Sequence, residues 1–111
     1  MKSNKIESPD FTISIFDEVD KIIKTKRLFF VKISTGQVKG KHGHFIQNQI
    51  LFCIDGKLKV ITKGASNTTK TITAGESIMI KKGTWISYEA LENSYLCVAS
   101  DQHYDEEDYY Y

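Results

Sequence analysis

No stretch of this chain keeps a helical repeat of apolar residues for more than two turns. Short runs of β-branched and aromatic residues alternate instead with turns marked by glycine. The runs are Phe11–Phe16, Arg27–Ile33, Gln49–Ile54, Lys57–Thr62, Thr68–Thr73, Ser77–Ile80, Trp85–Ala90 and Tyr95–Ser100. Gly36, Asp55-Gly56, Ala74-Gly75, Lys81-Lys82-Gly83 and Glu92-Asn93 cut them apart, and Lys63–Asn67 reads as a polar loop. Asp55-Gly56 between two strand-forming runs predicts a tight hairpin. Residues 17–26 fit either a helical turn or a further strand. Many short strands at this spacing define an all-β chain, a sandwich or barrel. Ile50, Leu51, Phe52 and Ile54 are apolar on both strand parities, so both faces of that sheet must be covered, by a second sheet or a second subunit.

With 111 residues the chain has material for one domain and one modest core. Residues 1–10 are polar and contain the single proline, Pro9, and are expected to be loosely held; the folded domain spans 11–111. Lys and Arg total 15 against 14 Asp and Glu, a net charge of +1, which lacks the basic excess of a nucleic-acid binder. The charge is unevenly placed. Lys21, Lys24, Lys26, Arg27, Lys32, Lys39 and Lys41 form a basic segment without an acid, which suits an anionic ligand, although a solvated surface has the same appearance. Cys53 and Cys97 each lie in an apolar run and read as small buried hydrophobes. Met1-Lys2-Ser3-Asn4 opens no secretory signal, and no apolar run has the length to cross a bilayer. The expectation is a cytoplasmic protein with reduced thiols and no membrane partner.

The residues with chemistry lie between Gly36 and Gly56. His42 and His44 are two apart, and on a strand such residues project from one face. Gly36, His42-Gly43-His44, Gln49 and Gly56 are spaced as in the first cupin motif, and Gly75 with Lys81-Lys82-Gly83 resembles part of the second. The likeness implies a cupin-type β-barrel or jelly roll. In metal-binding cupins a third histidine stands where this chain has Ile86, and a glutamate where it has Gln49. A catalytic metal needs about three protein ligands of the His and carboxylate type, so the ligand set here is short and a metal-free site is expected. Two imidazoles on one wall suit acid–base work, because histidine ordinarily titrates at about 6.5. Proton abstraction beside a carbonyl requires a base at carbon and a donor at the enolate oxygen, and a His pair offers both.

A longer set of residues resembles a narrower family. Lys39-Gly40-Lys41-His42-Gly43-His44, Gln49, Lys81-Lys82-Gly83-Thr84-Trp85, Leu96-Cys97-Val98-Ala99-Ser100 and Tyr104-Asp105-Glu106-Glu107-Asp108-Tyr109 occur in the order of the WxcM-like cupins, the sugar-nucleotide 3,4-ketoisomerases. The resemblance covers roughly residues 27–110. It implies a homodimeric barrel without cofactor, acting on a dTDP-4-keto-6-deoxy-hexose on the way to surface-polysaccharide sugars. His42 and His44 would shuttle a proton between C3 and C4. Gln49 and Trp85 would line the pocket, Phe30 would stand where the family has a tyrosine, and Lys39 and Lys41 would meet the diphosphate. Gly43 replaces a family alanine, a mild change at the level of sequence. The alternatives are a cupin module that binds a sugar nucleotide without turning it over and, with less in its favour, a metal-dependent cupin oxygenase.

Overall fold

The structure, a computed structural model, describes residues 1–65 and 67–111; Ser66, in the loop expected at Lys63–Asn67, lies outside the described residues. Eleven strands account for most of the described residues: β1 Lys2–Glu7, β2 Thr12–Asp17, β3 Arg27–Ile33, β4 Val38–His44, β5 Gln49–Asp55, β6 Lys57–Lys63, β7 Thr68–Thr73, β8 Ser77–Ile80, β9 Trp85–Ala90, β10 Ser94–Ser100 and β11 Tyr109–Tyr110. A 3-10 turn at Val19–Lys21 resolves the ambiguous segment, and a second one at Glu106–Asp108 precedes β11. The strands form a four-stranded sheet in the order β3-β10-β5-β8, a five-stranded sheet in the order β11-β4-β9-β6-β7, and the separate pair β1-β2. All pairings are antiparallel.

Two expectations need correction. Lys2 to Glu7 are not left unpaired: they form a complete ladder with Asp17 to Thr12. Backbone hydrogen bonds make this strand where polar side chains gave no apolar alternation to announce it. Nor do β5 and β6 form a hairpin across Asp55-Gly56. They belong to different sheets. Only Gly56 takes a positive φ, 90°, whereas the tight turn requires it at both residues. A Cβ at Gly56 would collide with Asn93 and Ser94, so the glycine is a close-packed corner where the chain crosses between sheets.

The two larger sheets face each other over the core. The inward side chains of β5 and β10 are Leu51, Cys53, Leu96 and Val98. They meet Leu58 and Val60 of β6, Ile72 of β7, and Ile86, Tyr88 and Ala90 of β9. Leu58, Val60, Ile72 and Leu96 are fully excluded from solvent, and each such burial contributes about 1.5–3 kcal/mol. The other parity of β5 is covered as well. Ile50 and Phe52 pack outward with Ile23 and Ala99, against Phe16 and Val19 of the N-terminal segment. The Phe16 and Phe52 rings lie 4.6 Å apart. The apolar run of β5 is thus explained by a sheet on one side and the N-terminal segment on the other. Farther along that outer face, Leu28, Phe30 and Tyr95 stay exposed, as do Ile6, Ile13 and Ile15 on the β1-β2 pair.

Candidate functional site

The site is built on β4, and a bulge sets its phase. Gly40 pairs with Ser87 and His42 with Ile86, leaving Lys41 as the extra residue. Gly40 and Lys41 both have positive φ, 84° and 60°, as one type of bulge requires of its glycine. Beyond the bulge the strand is regular. His42, opposite core residue Ile86, shares its inner face. His44 pairs with Tyr109 of β11, and Gly43 with Tyr110. The expected common projection of the two histidines is present, with ring centroids 4.9 Å apart at a steep angle. Tyr109 joins them, 5.0 Å from His42 and 4.4 Å from His44.

The histidines differ in surroundings. His42 is half-buried, while His44 is only 2% exposed. The backbone carbonyl of Asp108 lies 3.0 Å from His44 Nδ1. A carbonyl only accepts, so Nδ1 carries the proton and Nε2 the lone pair. Gln49 places its side-chain nitrogen 3.4 Å from that Nε2, a long contact. Burial holds the His44 imidazole below its ordinary value, with a contribution from His42; the hydrogen bond and charge of Asp108 act in the opposite direction. The 3.8 Å approach of Nδ1 to the Asp108 carboxylate is therefore that of a neutral ring, not an ion pair.

Behind His44 runs a buried polar network of Gln47, Gln49, Ser100 and Asp108, with Arg27 at its edge. Arg27 Nη2 donates to Gln47 Oε1 at 2.9 Å, and the guanidinium lies against the rings of Phe29 and Tyr104. Its Nε is buried without a partner among the described residues. Asp108 is 4% exposed, whereas Asp105, Glu106 and Glu107 of the same acidic segment are exposed. Arg27, Gln47, Asp108 and Tyr109 are functional candidates that sequence reasoning passed over. The signal available was the fixed Tyr-Asp-Glu-Glu-Asp-Tyr order at 104–109.

Gln49 stands beside His44 as expected. Other predicted residues lie elsewhere. Phe30 is exposed on the outer face and stacks on Tyr95 at 6.1 Å. Strand alternation makes its neighbour Phe29 the inward residue, packed on the core. Trp85 pairs with Gly43 and, having the parity opposite to Ile86, faces outward, where Lys63 Nζ lies 4.8 Å from its ring centroid. Lys39, opposite Tyr88, and Lys41, at the bulge, are exposed near the start of β4. Gly43 is less replaceable than its sequence implies, because a Cβ there would fall on the Tyr110 ring. An open cavity of about 430 Å³ lined by Tyr104, Glu106, Tyr109 and Tyr111 adjoins the histidine wall. Among the described residues no three His, Cys, Asp or Glu side chains converge as metal ligands, and no helix is long and apolar enough to cross a membrane.

Fold and site together define a cupin-like β-barrel with a histidine pair on its inner wall. The family model described as "FdtA: WxcM-like, C-terminal" matches residues 2–111, and the chain belongs to that family. No curated protein matches the chain. Among solved structures it is similar to QdtA, a sugar 3,4-ketoisomerase from Thermoanaerobacterium thermosaccharolyticum in complex with TDP, with a TM-score of 0.82 and 20% identity over 98% of this chain and 83% of that one. It is similar to WlaRA, a TDP-fucose-3,4-ketoisomerase from Campylobacter jejuni, with a TM-score of 0.79 and 18% identity over 100% and 86%. It is also similar to NovW, a 4-keto-6-deoxy sugar epimerase from Streptomyces spheroides, with a TM-score of 0.81 and 13% identity over 97% and 65%. At these identities the likeness is one of fold.

Proposed function

We propose that the chain is a 3,4-ketoisomerase of a TDP-linked 4-keto-6-deoxy-hexose, with His42 as the group that moves the proton. The observation that carries this reading is the contrast between the two imidazoles. His44 has both ring nitrogens engaged inside the barrel, and His42, in edge contact with it and tilted against Tyr109, is the half-buried member. Family membership and the TDP and TDP-4-keto-6-deoxyglucose named for QdtA structures support the substrate class. In the reaction His42 takes the proton from C3 while the C4 carbonyl oxygen gains one, giving an enediol. Return of a proton to C4, with loss of the C3 hydroxyl proton, yields the 3-keto sugar. The exposed Lys39 and Lys41 supply positive charge for the diphosphate. The exposed strip of Leu28, Phe30 and Tyr95, next to a hairpin carrying Ile6, Ile13 and Ile15, supports a homodimer that covers both; a light-scattering mass of one chain would refute the dimer.

Incubation with TDP-4-keto-6-deoxyglucose in deuterated water, followed by proton NMR, tests the activity. Loss of the C3 proton signal with formation of the 3-keto sugar is the expected result. Binding of the nucleotide sugar without exchange would instead make the chain a binding module.

A further inference from the structure

One buried charge orders a chain of side-chain hydrogen bonds behind the histidines. The Asp108 carboxylate accepts the backbone N–H groups of Phe45 and Ile46 on Oδ1, each at 2.8 Å, and the Gln47 side-chain nitrogen on Oδ2 at 3.1 Å. A carboxylate only accepts, so the Gln47 amide must turn its NH2 toward it. The Gln47 oxygen then faces the other way. There it accepts from Arg27 Nη2 at 2.9 Å, Ser100 Oγ at 2.8 Å and Gln49 Nε2 at 2.7 Å. That fixes the Gln49 amide in turn, with its NH2 beside His44 Nε2. A donor at this place requires a bare Nε2, and the Asp108 carbonyl at Nδ1 requires the proton there. All of these side chains except the partly buried Arg27 are shielded from solvent, so water is poorly placed to repair a mismatch.

We propose that the Asp108 side chain is a positioning group that fixes His44 as the neutral Nδ1–H tautomer, through the linked amides of Gln47 and Gln49 and by anchoring, with its bonds to the Phe45 and Ile46 amides, the backbone carbonyl that accepts from Nδ1. For its catalytic meaning this inference rests on the reading of His42 and His44 as the acid–base site. A His44 with no N–H to spare leaves His42 as the base that exchanges with substrate.

The test is a donor–acceptor swap. Asp108→Asn keeps the shape but replaces an acceptor by an NH2. Whichever way that amide turns, it sets a donor against the Gln47 NH2 or against the amides of Phe45 and Ile46. Rotation of Gln47 to relieve this sets its NH2 against Arg27 and Gln49. Adding Gln47→Glu removes the conflict, because a carboxylate at 47 accepts from the new amide at 108 and from Arg27, Gln49 and Ser100 together. The readout is the ¹⁵N–¹H long-range coupling pattern of the His44 ring, which reports the tautomer directly. The wild type is expected to give the Nδ1–H pattern alone. Asp108→Asn is expected to lose it, with kcat falling about tenfold or more and KM little moved. The double variant is expected to regain both. An unaltered Nδ1–H pattern in Asp108→Asn, an Nε2–H pattern in the wild type, or a double variant no better than the single one overturns the proposal. If Asp108→Asn does not fold, a folded double variant with the Nδ1–H pattern supports it, and a double variant that is also unfolded overturns it. A tautomer lost and regained as expected, in a protein that exchanges no C3 proton, keeps the positioning role and removes the isomerase reading. C3 exchange with an unmoved tautomer does the reverse.

Discussion

The residue between the histidines gives the sharpest test of how β11 closes the site. Gly43 has no positive φ, so alanine is compatible with its backbone, and the loss of glycine's freedom in the unfolded chain would stabilise the protein by about 0.4–1 kcal/mol. The obstacle is Tyr110, whose ring occupies the place of the new Cβ. The clash is with the far end of the ring, so the side chain swings aside rather than forcing the backbone apart. It then gives up its packing on Phe45, now at 5.0 Å between centroids, a contact of about 0.5–1.5 kcal/mol. A displaced rotamer costs about 0.5–1.5 kcal/mol more. The balance is a destabilisation of about 1 kcal/mol, which lowers Tm by about 4 °C in a domain of this size. In a Tyr110→Ala background the obstacle is gone, and Gly43→Ala should raise Tm by about 2–4 °C. Thermal melts of the wild type, the two single variants and the double variant measure the coupling. An equal change in Tm on adding Gly43→Ala to both backgrounds would refute the argument that Tyr110 requires this glycine.

Other predictions follow from the site and core. His42→Asn is expected to lower kcat by about 10²–10⁴-fold with the far-ultraviolet circular dichroism unchanged, because the side chain is half-buried and acts on the proton; retained C3 exchange in deuterated water would exclude it as the base. His44 titrates below its unfolded value of 6.5 when folded, so the unfolded chain binds the proton more readily. Its contribution to stability is present above 6.5 and is lost as pH falls from there toward the folded value. Urea midpoints between about pH 7.5 and about pH 5.5 should therefore fall more steeply for the wild type than for His44→Asn. Glu76, whose carboxyl is held low mainly by its hydrogen bond to Thr73, loses its contribution only below 4.5, outside that window. Burial raises the Cys53 thiol to about 11, so this thiol should resist alkylation at about pH 8 until denaturant is added, as mass spectrometry of the labelled peptide would show.

Much of the barrel is legible in the sequence because its strands carry their own punctuation. Arg27–Ile33, Thr68–Thr73, Ser77–Ile80 and Trp85–Ala90 have the bounds the residue pattern predicts. The pairing of strands is less legible. Asp55-Gly56 has the composition of a hairpin, but its course depends on Asn93 and Ser94, which lie far along the chain and leave room only for a glycine corner. Facing also depends on partners. Phe29 and Phe30 are chemically identical, and only the pairing of β3 with β10, one face of which lines the core, decides which points inward. Trp85 is an outward residue for the same reason, being one position from core residue Ile86. The histidine pair is readable because two residues on one strand need no partner to share a face. The network behind it is not, since Asp108 reaches Phe45, Ile46 and Gln47 across more than half the chain. An acidic cluster in sequence looks the same whether solvated or buried.

The bulge in β4 makes the length of this strand adjustable. Deleting a residue from a paired strand ordinarily inverts every side chain on one side of the cut, because the period is two. At Lys41 it would not. Gly40 already faces Ser87 and His42 already faces Ile86, with Lys41 outside the ladder. Excision of Lys41 therefore leaves the partners on both sides in place, both imidazoles on the inner wall, and removes the one residue of β4 other than glycine with a positive φ. Excision of Gly43, two positions on, would turn one histidine out of the barrel. A one-residue deletion in this strand is thus best tolerated at Lys41, immediately before the residue proposed to carry the chemistry.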